Sequence, residues 1–192
     1  MIAGPLVLAL LLFVLAGAVI YFVFVTFLFG AGYEPTYRRA VESMLRLAEV
    51  GPADTVYDLG AGTGAIVFRA ARVYRAKVVG VEIEPVRVLI LKARRRFGPM
   101  ADRIEIRRGN MHRLDLRGAT VVTAFLWGGA MAQLRAKFEA ELPSGARVVS
   151  HVHPIPGWTA LAHDAATDVY LYRWSGRRGP PTGESGTRAP PR

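Results

Sequence analysis

Residues 33–174 predict an α/β domain, a doubly wound and mostly parallel seven-stranded sheet with an antiparallel edge strand, preceded by one N-terminal transmembrane helix. Three observations carry that expectation. Short β-branched runs alternate with segments of helical period, the signature of a parallel sheet covered by helices. The first of these runs, "TVYDL", leads directly into the glycine turn "GAGTG". Met1 to Tyr33 contains no Asp, Glu, Lys or Arg.

That N-terminal segment includes "LVLALLLFVLAGAVIYFVFVTFLF", longer than the roughly 20 apolar residues that cross a bilayer core of about 30 Å. A secretory signal begins with basic residues and holds an apolar run of only about 7 to 15 residues. Residues 1–32 therefore read as an anchor, ended by Gly30 and Gly32 and long enough to tilt or project from one face. Arg38, Arg39 and Arg46 follow closely. The positive-inside bias then predicts a single-pass membrane protein with its N-terminus outside and its C-terminal domain cytoplasmic.

The formal net charge of +10 lies wholly beyond Tyr33. Such a surface suits anionic lipid headgroups, and nucleic acid equally. With an anchor present the bilayer is the expected partner, and no nucleic-acid partner is expected. The chain has no cysteine, which excludes disulfides, thiolate metal sites and cysteine nucleophiles. Its four histidines are scattered, so no metal site is expected.

After the anchor, "YEPTYRRAVESMLRLAEVGP" places Val41, Met44, Leu45 and Ala48 on one helical face, with Thr36 as N-cap and Gly51-Pro52 as terminator. "DTVYDL" reads as a buried strand, and Gly60 to Gly64 as the turn that opens the helix "GAIVFRAARVYR". "KVVGVEI" is the second strand, "EPVRVLILKARRRF" a helix with proline in its first turn, and "RIEIRRG" the third strand. Only "NMHRLDLRGA" separates that strand from the fourth, "TVVTAFLW". In strand order 3-2-1-4 this connection crosses two strands, about 14 Å. About nine extended residues reach roughly 30 Å, so the missing helix is no obstacle. "GGAMAQLRAKFEAEL" is the next helix and "ARVVSHV" the fifth strand; "GWTALAH" and "DVYLYRW" form a hairpin across Asp164 to Thr167. Residues 175–192, "SGRRGPPTGESGTRAPPR", form a tail expected to be disordered.

Asp58 stands two positions before the first glycine of the turn. A P-loop would need a lysine there, and none occurs between Asp58 and Lys77. A dinucleotide fingerprint needs G-x-G-x-x-G, whereas Gly60, Gly62 and Gly64 are spaced G-x-G-x-G, and Asp58 would repel a pyrophosphate. S-adenosylmethionine (SAM) has no phosphate and presents an ammonium and a sulfonium, which a carboxylate favours. Glu82, eighteen residues past Gly64, suits the ribose hydroxyls, and Asn110 the adenine amino group. Each residue has an ordinary reading as well: Asp58 as an N-cap, Glu82 as a helix-start carboxylate, Asn110 as a turn former. Their coincidence at three successive strand ends favours SAM.

The runs "YEPT", "VYDLGAGTGAIV", "GVEI", "GN", "ATVVTAFL", "ARVVSH", "IPGW" and "VYLY" resemble the class I, seven-β-strand SAM-dependent methyltransferases. Among these the chain is similar to the archaeal protein-lysine methyltransferases and their membrane-anchored mitochondrial relatives, from about Tyr33 to Tyr172. The resemblance implies a Rossmann-like domain over 33–174. It also implies a cofactor site in which Pro35 and Thr36 close the methionine end above Asp58, Gly60 and Gly62. Glu82 would hold the ribose, Asn110 and Met111 flank the adenine, and Thr123 lie near the transferring methyl. Ala61, Gly64 and Ile83 complete the implied cofactor-binding set. Thr63 and Ala65 depart from the resemblance, standing where an aspartate and an arginine are usual.

The implied reaction is displacement at the SAM methyl by a neutral lysine amine, with orientation as the main contribution of the enzyme. No catalytic residue is assigned. His151 and His153, at the end of the fifth strand, are candidates to receive the lysine proton or are structural. Trp127 and Trp158 are candidates to line a lysine channel or belong to the core. "AFLWGG" after the fourth strand offers no carboxamide or carboxylate to a planar NH₂ group, which argues against adenine and glutamine acceptors. The reading is a membrane-anchored protein-lysine N-methyltransferase acting on a protein substrate, with membrane proteins among the candidates. Two alternatives stay open: methylation of a lipid, quinone or small amphiphile, and a non-catalytic SAM-binding scaffold.

Overall fold

The computed structural model describes residues 3–28 and 36–176. An apolar helix α1, Ala3–Leu28, comes first, and α2 follows at Arg38–Leu47. The domain then alternates β1 (Thr55–Leu59), α3 (Ala65–Val73), β2 (Lys77–Glu82), α4 (Pro85–Phe97) and β3 (Ile104–Arg108). It continues with β4 (Val121–Ala124), α5 (Gly128–Glu141), β5 (Arg147–His151), β6 (Ala162–Asp164) and β7 (Val169–Arg173). The sheet runs β3-β2-β1-β4-β5-β7-β6. The first five strands are parallel, and β7 is antiparallel to both β5 and β6.

Alternation along each strand sorts side chains into two cores. Val56, Val78, Val121 and Val149 face α2, α3 and Leu91 of α4. Tyr57, Val79, Val122 and Val148 face Met131, Leu134 and Phe138 of α5. Val41, Met44, Leu45 and Ala48 are all buried, as the helical spacing predicts. Between β3 and β4 the chain makes only a short 3₁₀ turn, Met111–Arg113, so the compact crossover is observed. Gly4–Tyr21 of α1 has a mean hydropathy of 2.5 and is long and apolar enough to cross a membrane.

Some boundaries move. Thr36 is not the N-cap of α2; that position is Tyr37, which makes no side-chain capping bond. The helix ends before Gly51-Pro52, because Glu49 already takes a positive φ of 49° and turns the chain. "GWTALAH" contributes only Ala162–Asp164 to the sheet. Gly30, Gly32, Pro35 and the tail from residue 177 lie outside the described residues.

At the N-terminal edge of the sheet, Asp54 joins three strands. It accepts a hydrogen bond from Thr120 Oγ1 at 2.7 Å and pairs with Arg147, which also donates to the carbonyls of Ala48 and Glu49. Both charged side chains are mostly buried, so removing one strands the other. Asp54→Ala is expected to destabilise the domain by about 3 kcal/mol, seen as a lowered unfolding midpoint in denaturant. Arg117→Ala, whose exposed pair with Asp115 is screened by water, leaves the midpoint unchanged.

Candidate active site

The parallel register decides what meets at the C-terminal edge of the sheet. Asp58 on β1 lies beside Gly80 of β2 and Thr123 of β4. Adjacent residues of parallel strands share a face, so Thr123 Oγ1 donates to Asp58 Oδ1 at 2.8 Å. Both side chains are buried. Beyond Leu59 the chain turns through Gly60, Gly62 and Gly64, all with positive φ, and the amides of Gly60 and Ala61 donate to the carbonyl of Val81. Gly64 has a second constraint: a Cβ there would lie 2.5 Å from Phe68 and 2.7 Å from Leu91. Only glycine lets the loop seat this close to α3 and α4.

Glu82 ends β2 and holds the loop from the other side. Its Oε2 accepts from the amide of Gly62 at 2.8 Å, and its Oε1 from those of Ile83 at 2.9 Å and Glu84 at 3.0 Å. The helix-start carboxylate is instead Glu84, which accepts from the amides of Val86 and Arg87 at the head of α4. That division frees Glu82 from capping. Asn110 does form a turn, its Oδ1 accepting from the His112 amide at 2.9 Å. Its carboxamide remains exposed, and Met111 beside it is half-buried against the α5-side core.

Asp58 is the electrostatic anomaly of this edge. Burial, opposed by the Thr123 hydroxyl and reinforced by the charge of Glu82, pushes its carboxyl up to about 7. Among the described residues, no Lys or Arg forms an ion pair with Asp58 or Glu82. Two neighbouring buried carboxylates with no basic partner fit a cationic ligand and repel a phosphate. They therefore fit SAM.

His151 ends β5 and is buried, with its ring centroid 4.3 Å from Phe125 and 5.6 Å from Tyr37. Tyr37 reaches this edge from the chain entering α2, and its hydroxyl donates to the carbonyl of Thr167 at 3.4 Å. The next residue, Val152, takes a φ of 64°, and the His153 amide closes back on the His151 carbonyl at 2.7 Å. Positive φ at a β-branched residue is strained backbone, held here by a three-residue turn. His153 stacks on the exposed Trp127, with centroids 5.9 Å apart.

Trp158 is not part of this edge. It stacks on Trp174 at 5.3 Å, touches Tyr172 and Phe138, and its Nε1 donates to Glu139. The Trp174 amide donates to Ala146, ahead of β5, which puts the stack at the opposite end of the sheet. Tyr37 and Phe125 are the residues that sequence reading missed. An aromatic immediately before a helix and another immediately after a strand were the available signals.

A doubly wound sheet with buried carboxylates that have no basic partner at the ends of β1 and β2, joined by a glycine turn, defines a SAM-dependent methyltransferase. The model of the ANTKMT methyltransferase domain matches residues 58–162, and the chain belongs to that family. A protein-lysine N-methyltransferase of Saccharolobus islandicus (strain REY15A) is 42% identical over 147 residues, covering 73% of this chain and 91% of that protein. The adenine nucleotide translocase lysine N-methyltransferase of Mus musculus is 33% identical over 124 residues, 65% of this chain but only 54% of the mouse protein. The crystal structure of an RNA methyltransferase from Salinibacter ruber, in complex with S-adenosyl-L-homocysteine, superposes with a TM-score of 0.72 at 35% identity. That likeness covers 78% of this chain and 98% of the Salinibacter chain.

The raised carboxyl of Asp58 has a measurable consequence. Where Asp58 holds the ammonium that SAM and S-adenosylhomocysteine share, its ionised form would attract that group and its protonated form would not. Affinity for S-adenosylhomocysteine, measured by calorimetry, is expected to plateau above pH 7 and to fall as pH drops below it, approaching about tenfold per unit. Asp58→Asn is expected to bind weakly with no such slope.

Proposed function

We propose that the chain is a membrane-anchored protein-lysine N-methyltransferase. The observation that carries the acceptor is the ring-lined end of β5, where His151, Phe125 and Tyr37 gather beside the buried Asp58–Thr123 pair. Aromatic walls suit the aliphatic stem and cationic head of a lysine, and an apolar slot favours loss of its proton. The lysine N-methyltransferases of Saccharolobus and mouse support the same acceptor.

Bound SAM supplies the transferable methyl on its sulfonium. Asp58 orients the ammonium of the cofactor and is itself held by Thr123. Gly60, Ala61, Gly62 and Gly64 would offer backbone to the methionine portion, and Pro35 and Thr36 would close that end. Glu82 and Ile83 hold the ribose, and Asn110 and Met111 flank the adenine. His151 takes up the proton that the acceptor lysine gives up. The exposed Trp127 and the half-buried His153 stacked on it flank the entrance.

In this reading residues 1–32 are the anchor, 33–174 the catalytic domain and 175–192 a basic tail. Arg38, Arg39 and Arg46 place the domain on the cytoplasmic side and the N-terminus outside. The substrate is then a protein segment close to the bilayer. The Salinibacter relative and the net charge of +10 favour RNA as the competing acceptor.

Incubation with radiolabelled SAM and membranes of the source organism is expected to place label on lysine side chains, as read by mass spectrometry, and Asp58→Ala to abolish it. Label confined to RNA or to extractable lipid overturns the lysine assignment, and absence of turnover overturns the enzyme. His151→Ala is expected to lower kcat/KM for the acceptor about a hundredfold, the lower range for a positioned acid–base group, with SAM affinity unchanged. A much smaller loss in that assay assigns His151 to packing alone.

A further inference from the structure

Helix α4 has a second apolar face that the domain does not use. Val88 and Leu91 point into the core, whereas Val86, Leu89, Ile90, Ala93 and Phe97 face outward. Their spacing of i, i+3, i+4, i+7 and i+11 forms one stripe, within about 100° of arc at 3.6 residues per turn. It is well exposed, with Leu89 at 68% and Phe97 at 85%. Lys92 and Arg96 border the stripe on one side and Arg94 on the other, and Arg95 adds a further charge at the end of the helix. Apolar residues rimmed by basic ones are the pattern of a helix lying in a membrane interface.

A separate observation places this helix beside the anchor. The Tyr21 hydroxyl of α1 bonds to Glu84, the N-cap of α4. Tyr21 lies in the C-terminal half of α1, which runs without a charged residue from Ala3 to Leu28. The head of α4 is thus held against the C-terminal half of the anchor, the half that leads into the domain.

We propose that α4 is a lipid-contact face, which lays the domain against an anionic bilayer and holds the Glu82 end of the cofactor site at the membrane surface. This rests on reading α1 as an anchor. A second copy of the chain suits the stripe poorly, because a symmetric contact would bring the bordering Lys92 and Arg96 close to their own copies, whereas acidic headgroups neutralise them. The acceptor class narrows accordingly to lysines close to the bilayer in membrane proteins.

The absence of cysteine makes a direct test available. Leu89→Cys, and Gln133→Cys on the exposed side of α5 across the sheet, are each labelled with an environment-sensitive nitrobenzoxadiazole dye. The full-length chain is reconstituted into vesicles of phosphatidylcholine and phosphatidylglycerol that carry nitroxide-labelled lipid. The proposal expects the dye at position 89 to shift to the blue and lose most of its emission to the nitroxide, and the dye at position 133 to keep its emission. It also expects the Leu89→Glu/Phe97→Glu double variant to bind S-adenosylhomocysteine normally and to methylate a soluble peptide normally. The same variant should lose most of its activity on membrane-embedded substrate. A vesicle-bound chain whose dye at position 89 stays in water overturns the proposal, as does one shielded at that position without lipid quenching. A chain that does not float with vesicles overturns the anchor reading and the α4 face together.

Discussion

Two carboxylates buried at neighbouring strand ends with no basic partner are the constraint on which this site depends. The fold treats them differently. Glu82 accepts three backbone amides, from Gly62, Ile83 and Glu84. Asp58 has only the Thr123 hydroxyl. Hydrogen bonds to a charged form stabilise it, and burial opposes it, so the penalty falls on Asp58. A ligand that brings a positive charge removes this penalty, and one that brings phosphate deepens it. The selectivity of the site therefore lies in what is left uncompensated, and the glycines add close approach.

That imbalance follows from strand order. Because β1 lies between β2 and β4, the parallel register sets Asp58 beside Thr123 and brings Val81 over the glycine turn. His151 on β5 lies one strand further along and meets Phe125, the residue just beyond β4. The site is thus a row of strand ends. Its floor is fixed by the sheet, whereas its wall at Tyr37 is supplied by the chain leading from α1 to α2.

Much of this was legible in the sequence, since strands of Val and Ile between turn signals leave little choice and Asp58 contradicts every phosphate-binding reading. The misses have local causes. Thr36 has a capping side chain, but the helix starts one residue too late for it to act, at Arg38. Trp158 carries an aromatic ring suited to a lysine channel, and only three-dimensional packing reveals Trp174 and Phe138 as its partners. Tyr37 and Phe125 went unnoticed because Tyr37 falls just after the run "YEPT" and Phe125 lies in "ATVVTAFL" with no polar group to single it out, and they meet only through His151. Asn110 was legible as a turn former, and the structure gives it that role through His112.

Thr63 and Ala65, the two departures within the glycine loop, acquire a simple geometry. Ala65 opens α3 and is exposed, and the Thr63 carbonyl accepts a hydrogen bond from Arg94 of α4. Arg94 also lies over the Phe68 ring, 4.3 Å from its centroid. A guanidinium thus still stands beside the loop, although it arrives from a different helix. The Thr63 backbone is braced from α4, while the carboxylate of Asp58 points toward Thr123. That brace uses the Thr63 main chain, so it is kept with threonine at position 63, and neither departure alters the Asp58–Thr123 hydrogen bond. The loop is therefore braced from two sides, by Val81 and Glu82 of β2 and by Arg94 of α4, while register sets the surroundings of Asp58.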